Sequence, residues 1–129
     1  MIIFFNGGLF LKILVSGSRY YKNYRKILSF LTRMKQKHSE VIVVEGGARG
    51  ADTLARKACE KLNIKCKEYN ANWEKYGRAA GPIRNQQMLD DNDDIEIVAI
   101  FHEELNKSKG TKDMLKRARK ANKEIVKFN

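Results

Sequence analysis

The chain has 129 residues, 43% of them hydrophobic and 32% charged, with a formal net charge of +11 and two cysteines. That length suits one domain around a single core. Two cysteines without metal-ligand spacing exclude a secreted disulfide scaffold, and the hydrophobic content argues against extensive disorder.

In chain order, MIIFFNGGLFLKILV is strongly apolar but interrupted at Asn6-Gly7-Gly8. It is too short and too broken to span a bilayer, and it lacks the charged start of a secretory leader. Residues 1–11 are therefore read as an apolar N-terminal extension to a domain over 12–129. A cytoplasmic protein with no membrane partner is expected. Lys12–Ser16 (KILVS) reads as a strand feeding the turn Gly17-Ser18-Arg19. Tyr24, Ile27, Leu28, Leu31 and Met34 then recur at helical spacing, with Lys22, Arg25, Lys26, Arg33 and Lys35 outward. Val41–Val44 is uninterrupted and β-branched, as expected of a strand buried on both faces of a parallel sheet.

Gly46-Gly47-Ala48-Arg49-Gly50-Ala51-Asp52 follows, and Ala51, Leu54, Ala55, Ala58 and Leu62 mark a second helix. Ile64–Tyr69 is a third strand, polar enough for a sheet edge. Residues 70–81 show no period and read as a long loop. Pro82, the one proline, is expected at a first helical position, where its missing N–H costs nothing. The helix it opens ends at Asp90–Asp94 (DDNDD), read as a solvated helix end. Ile95–Phe101 is a fourth strand, and the polar loop His102–Gly110 leads to a helix with Met114, Leu115, Ala118 and Ala121 inward. Glu124–Phe128 is a fifth strand. Strict alternation of strand and helix predicts one doubly wound α/β domain, with a mainly parallel five-stranded sheet and helices on both faces.

Charge is unevenly spread. Residues 107–123 carry eight Lys/Arg against Asp113 alone, whereas residues 90–104 carry seven acids and no Lys or Arg. Such a field draws phosphate-bearing ligands, either nucleotides or nucleic acid. In doubly wound folds ligands bind beyond the carboxyl ends of the strands. Three glycine-bearing turns fall there: Gly17-Ser18-Arg19, Gly46–Asp52 and Gly110-Thr111-Lys112-Asp113. Each lies near a helix N-terminus, where unpaired N–H groups favour anions. Arg19 and Arg49 add bidentate donors. Arg78 and Arg84 flank Gly81-Pro82, and Arg84 falls in a first helical turn where the helix dipole does not favour a cation; a phosphate partner is expected. Trp73 reads as a cover over the core in preference to a stacking platform. His38 and His102 have no ligand spacing around them, so neither a metal nor a cofactor is expected.

GSR, GGARGAD, GRAAGPIRNQQML and GTKDM, in this order, resemble the SLOG superfamily, which unites LOG nucleotide-processing proteins with the DNA-processing protein A family. The nearest branch is the YspA-like, YpsA-related one, and the resemblance covers residues 12–128. It implies a Rossmann-like sheet and a pocket for a nucleotide-derived ligand such as ADP-ribose, AMP or an NAD-like molecule. Gly17, Ser18 and Arg19 would form the first turn, and Gly46, Gly47, Arg49, Gly50 and Asp52 the second. Arg78, Gly81, Pro82, Arg84 and Asn85 fall in the branch's own segment, and Gly110, Thr111 and Asp113 in the last turn. Two departures stand out. The loop before Gly110-Thr111 is HEELNKSK rather than Gly-rich, and the catalytic glutamate of LOG proteins is replaced by Met114. If the chain hydrolyses an N-glycosidic or phosphate bond, Asp113 or Asp52 would be the general base. The alternative is single-stranded DNA binding along the basic helices. A homodimer or higher oligomer is also expected from relatives.

Overall fold

The computed structural model describes residues 10–104 and 107–129. Five strands, β1 (Phe10–Gly17), β2 (Glu40–Glu45), β3 (Lys65–Glu68), β4 (Ile95–Phe101) and β5 (Glu124–Phe128), alternate with helices α1 (Tyr24–Lys37), α2 (Ala51–Leu62), α3 (Trp73–Tyr76), α4 (Ala80–Asp91) and α5 (Lys109–Lys120). The sheet order is β3-β2-β1-β4-β5 and every pairing is parallel. This is the doubly wound, Rossmann-like architecture that the alternation of elements predicts. The chain winds outward from β1 to β3, then returns to β1's other side for β4 and β5. The reversal lies between β1 and β4.

Strand periodicity divides the core in two. Leu11, Ile13, Val15, Val41, Val43, Ala99 and Phe101 face α1 and α2, whereas Leu14, Val44, Val98 and Ile100 face α4 and α5. The β-branched run of β2 is thus covered on both sides, and the polar β3 sits at an edge. Phe101 stacks on Phe128 at 4.8 Å, and Phe30 meets Phe128 at 5.1 Å. β1 begins at Phe10, so Phe10 and Leu11, read as the end of the extension, belong to the sheet. The extension's first nine residues lie outside the described ones. Among the described residues, no helix is long and apolar enough to cross a membrane.

Four boundaries differ from expectation. The segment 70–81 is not a plain loop: α3 and a 3-10 turn at Gly77–Ala79 occupy most of it. Asn72 caps α3 by accepting the Lys75 N–H at 3.0 Å, a single-turn feature too short to show a period. Pro82 is the third residue of α4, not the first; its missing N–H still costs nothing, because a helix's first four N–H groups have no intrahelical partner. Gly110 lies inside α5 rather than in the preceding loop. DDNDD is only partly solvated. Asn92, 1% exposed, donates to Met88 O (2.8 Å) and Tyr69 Oη (3.1 Å) and accepts from Lys67 Nζ (3.0 Å). Asp94 pairs with the buried Lys12 at 2.9 Å, and that bond holds its carboxyl below the usual range.

Met114, where LOG proteins carry glutamate, is fully buried against the sheet. Met114→Ala should therefore cost about 2–4 kcal/mol, measured by urea denaturation; a loss under about 1 kcal/mol would show that this face of α5 is not packed as described.

Candidate functional site

The turns at the carboxyl ends of the strands are built by close backbone packing. A Cβ on Gly17 would overlap the Phe101 carbonyl and lie 2.7 Å from Ala51 Cβ. Ser18 N–H donates to Phe101 O at 3.0 Å, and Ser18 O accepts from Ala51 N–H at 3.1 Å. The Gly-Ser-Arg turn thus stitches the ends of β1 and β4 to the start of α2. Gly50 has φ +78 and would strike the Ser18 and Arg19 carbonyls if it bore a side chain. Gly46 leaves room for the Arg84 guanidinium, and Gly47 (φ +70) for Asn70. Protein neighbours account for these four glycines before any ligand is considered.

Above these turns lies a cleft of ≈ 980 Å³, at the large end of small-molecule sites. Its lining gathers Gly17, Ser18, Arg19, Gly46, Gly47, Arg49, Asp52, Arg78, Arg84, Asn85, Gly110, Thr111 and Asp113 from turns far apart in sequence, at the reversal of strand order. Of the expected residues, Gly50 is outside the lining; its role is to seat α2. Tyr20, Asn70, Lys107 and Lys109 also line the cleft without having been singled out. Trp73, expected as a cover over the core, belongs to neither apolar cluster; it is 55% exposed and lines the cleft.

The two carboxylates of the cleft differ in state. Burial pushes Asp52, 7% exposed, up to about 7. Its bonds from the Ala48 N–H (3.2 Å) and Gly46 N–H and the nearby Arg84 oppose that rise, and Glu45 adds to it. Asp52 does not cap α2: the N-cap is Gly50, and the carboxylate reaches back to the loop. Burial also tends to raise Asp113, but Arg117 Nε (2.8 Å) and Asn85 Nδ2 (2.9 Å) donate to Oδ2 and hold the carboxyl below the usual range. Asp113 is thus ionised and tied down, while Asp52 exchanges a proton near neutral pH.

Arg84 is half-buried and sits in the second turn of α4, not the first. Its guanidinium donates to the Gly46 carbonyl and, at 3.5 Å, to Tyr69 O, while Nε donates to Asn85 Oδ1 at 3.0 Å. Burial lowers its pKa, and Asp52, Glu45 and Asp113 counter that. The expected phosphate partner is thus replaced in part by backbone carbonyls. Glu45, fully buried at the end of β2, was missed. It accepts the Gly47 N–H at 2.6 Å and the Cys66 thiol at 3.7 Å, and burial raises its pKa. Its signal in the sequence is an acid closing an all-apolar run. Among the described residues, no group of His, Cys, Asp and Glu is arranged to hold a metal.

The model of the YspA, cpYpsA-related SLOG family matches residues 11–76, about half of the chain. The chain belongs to this family. The matched stretch includes the Gly17 and Gly46 turns and Trp73, and stops short of α4 and α5. This SLOG chain is also 29% identical over 123 residues to the gene 61 protein of Mycobacterium phage D29, covering 91% of this chain and 95% of that relative. The X-ray structure of DNA processing protein A from Streptococcus pneumoniae superposes with a TM-score of 0.67 at 16% identity, over 92% of this chain and 50% of that one. The SLOG chain thus spans half the length of that protein, and the likeness is one of fold.

The site's geometry makes two predictions for the SLOG chain. Gly50→Ala should cost about 2–4 kcal/mol, from positive φ and backbone overlap. Gly110→Ala, with nothing within 4 Å of the added Cβ, should stabilise by about 0.5–1 kcal/mol; equal effects in urea melts would contradict the assignment. Asp52's folded pKa lies above its unfolded value, so the folded state holds the extra proton and stability falls as pH rises from about 4 to about 7. Relative to Asp52→Asn, the natural chain should lose about 2–3 kcal/mol between pH 5 and pH 8. A flat difference would show that Asp52 is not perturbed.

Proposed function

We propose that the cleft binds a nucleotide or nucleotide-derived ligand, with AMP, ADP-ribose and NAD-like molecules as its natural probes. The observation that carries this reading is the convergence of Arg19, Arg49, Arg78, Arg84, Lys107 and Lys109 on one concavity that also contains the buried Asp52. Cations from separate turns, facing one cleft, supply charge-assisted donors to phosphate oxygens. A carboxyl beside them accepts hydrogen bonds from sugar hydroxyls. Membership of the SLOG family and the fold shared with DNA processing protein A support the same reading.

Asp52 and Asp113 would have distinct roles. General-base catalysis works best with a pKa near the operating pH, which suits Asp52 at about 7. Asp113, held ionised by Arg117 and Asn85, serves as a strut that positions Asn85 and the first turn of α5. If hydrolysis of an N-glycosidic or phosphate bond follows binding, the proton of the attacking water goes to Asp52.

The second reading is single-stranded DNA binding. It is favoured by the exposed bases on the outer face of α5 (Lys112, Lys116, Arg119 and Lys120) and by the name of the DNA-processing relative. The two separate experimentally. Calorimetry with AMP, ADP-ribose, NAD and cyclic nucleotides should find a ligand whose affinity falls at least about 10-fold in the double variant Arg49→Ala, Arg78→Ala. DNA binding would instead fall steeply with salt and depend on the α5 bases. No binding by any nucleotide, with an unchanged melting temperature, would sink the first reading.

A further inference from the structure

We infer that Trp73 is the residue that makes the cleft select ligands carrying a planar aromatic base, by stacking on it at the rim. This deepens the nucleotide reading and rests on it. Trp73 is the chain's single tryptophan. More than half of its surface is exposed, it lines the cleft, and it packs into neither apolar core. An indole left exposed beside a site, and not used to build the fold, retains its apolar surface for a ligand.

The local backbone is built to hold it there. Asn72 caps α3 by accepting the Lys75 N–H, Tyr76 N–H returns to Asn72 O at 3.0 Å, and Gly77 at φ +56 ends the turn. A second feature comes from α4. Gly81 is the second residue of that helix, where glycine costs stability relative to alanine. A Cβ there would lie 3.3 Å from Trp73 Cη2, tighter than ordinary contact. Glycine at 81 therefore lets the indole settle against the start of α4, next to Pro82 and Arg84 of the same cleft. Seated this way, the ring lines the same cleft as Arg78 and Arg84. The ligand class is thus a phosphate attached through a sugar to an aromatic base, rather than a sugar phosphate alone.

Base–aromatic stacking is worth about 10- to 100-fold in affinity when the ring is removed. The test compares AMP with ribose 5-phosphate, which lacks the base. AMP should quench the single-tryptophan fluorescence of the natural chain, whereas ribose 5-phosphate should bind by calorimetry without quenching. Trp73→Ala should weaken AMP by about 10- to 100-fold, leave ribose 5-phosphate within about 2-fold, and leave the melting temperature nearly unchanged. Trp73→Phe should recover part of the loss. If both ligands bind and Trp73→Ala weakens neither, or weakens both alike, the stacking role is overturned while the nucleotide reading stands. If AMP does not bind the natural chain, this inference is overturned, and the nucleotide reading falls with it only if ADP-ribose, NAD and cyclic nucleotides fail to bind as well.

Discussion

The seat of the Arg84 guanidinium on the Gly46 carbonyl is the contact on which the site depends. β2 delivers Glu45, fully buried, to its carboxyl end, and the next turn delivers Asp52, 7% exposed. Two buried carboxylates so close in sequence would repel and resist desolvation. Arg84 supplies the compensating charge from α4, and Gly46, lacking a Cβ, lets it reach the backbone. The same side chain continues through Asn85 to Asp113 and Arg117. One polar chain thereby joins β2, α4 and α5 beneath the cleft.

Chemistry follows from that arrangement. Because burial outweighs the loop N–H bonds and the charge of Arg84, Asp52 retains a proton affinity suited to exchange near neutral pH. Asp113 is matched by an ion pair and an amide and loses that property. The reversal of strand order between β1 and β4 leaves a concavity at the carboxyl ends of the strands. The remaining cations and the Trp73 ring stand around it. Charge, an exchangeable carboxyl and an exposed aromatic ring thus meet in one place. None of the three turns would bring them together alone.

The strands and longer helices were legible because each shows its period over enough residues. KILVS, VIVV and IEIVAIF could hardly be anything but buried strands. Residues 70–81 were opaque because a one-turn helix and a 3-10 turn have no period to detect. The sequence also pointed to the glycine turns, but not to why glycine is needed: Gly50 must avoid the Ser18 and Arg19 carbonyls, contacts formed only once the sheet is assembled. Glu45 was missed because an acid after an apolar run looks like the start of a solvated loop. Arg84 was noticed for an unfavourable place on a helix dipole, whereas its position follows from carbonyls and acids tens of residues away. Local pattern reveals elements; long-range charge compensation appears only in three dimensions.

The central claim is that one phosphate- and base-bearing ligand occupies this cleft. Backbone amide chemical shifts, followed by NMR as AMP is added, test it most directly. The account predicts that shifts concentrate on Ser18–Tyr20, Gly46–Arg49, Trp73–Arg84 and Lys109–Thr111, together with the Trp73 indole N–H. Shifts confined to the exposed face of α5, at Lys112, Lys116, Arg119 and Lys120, or no shifts at all, would contradict it.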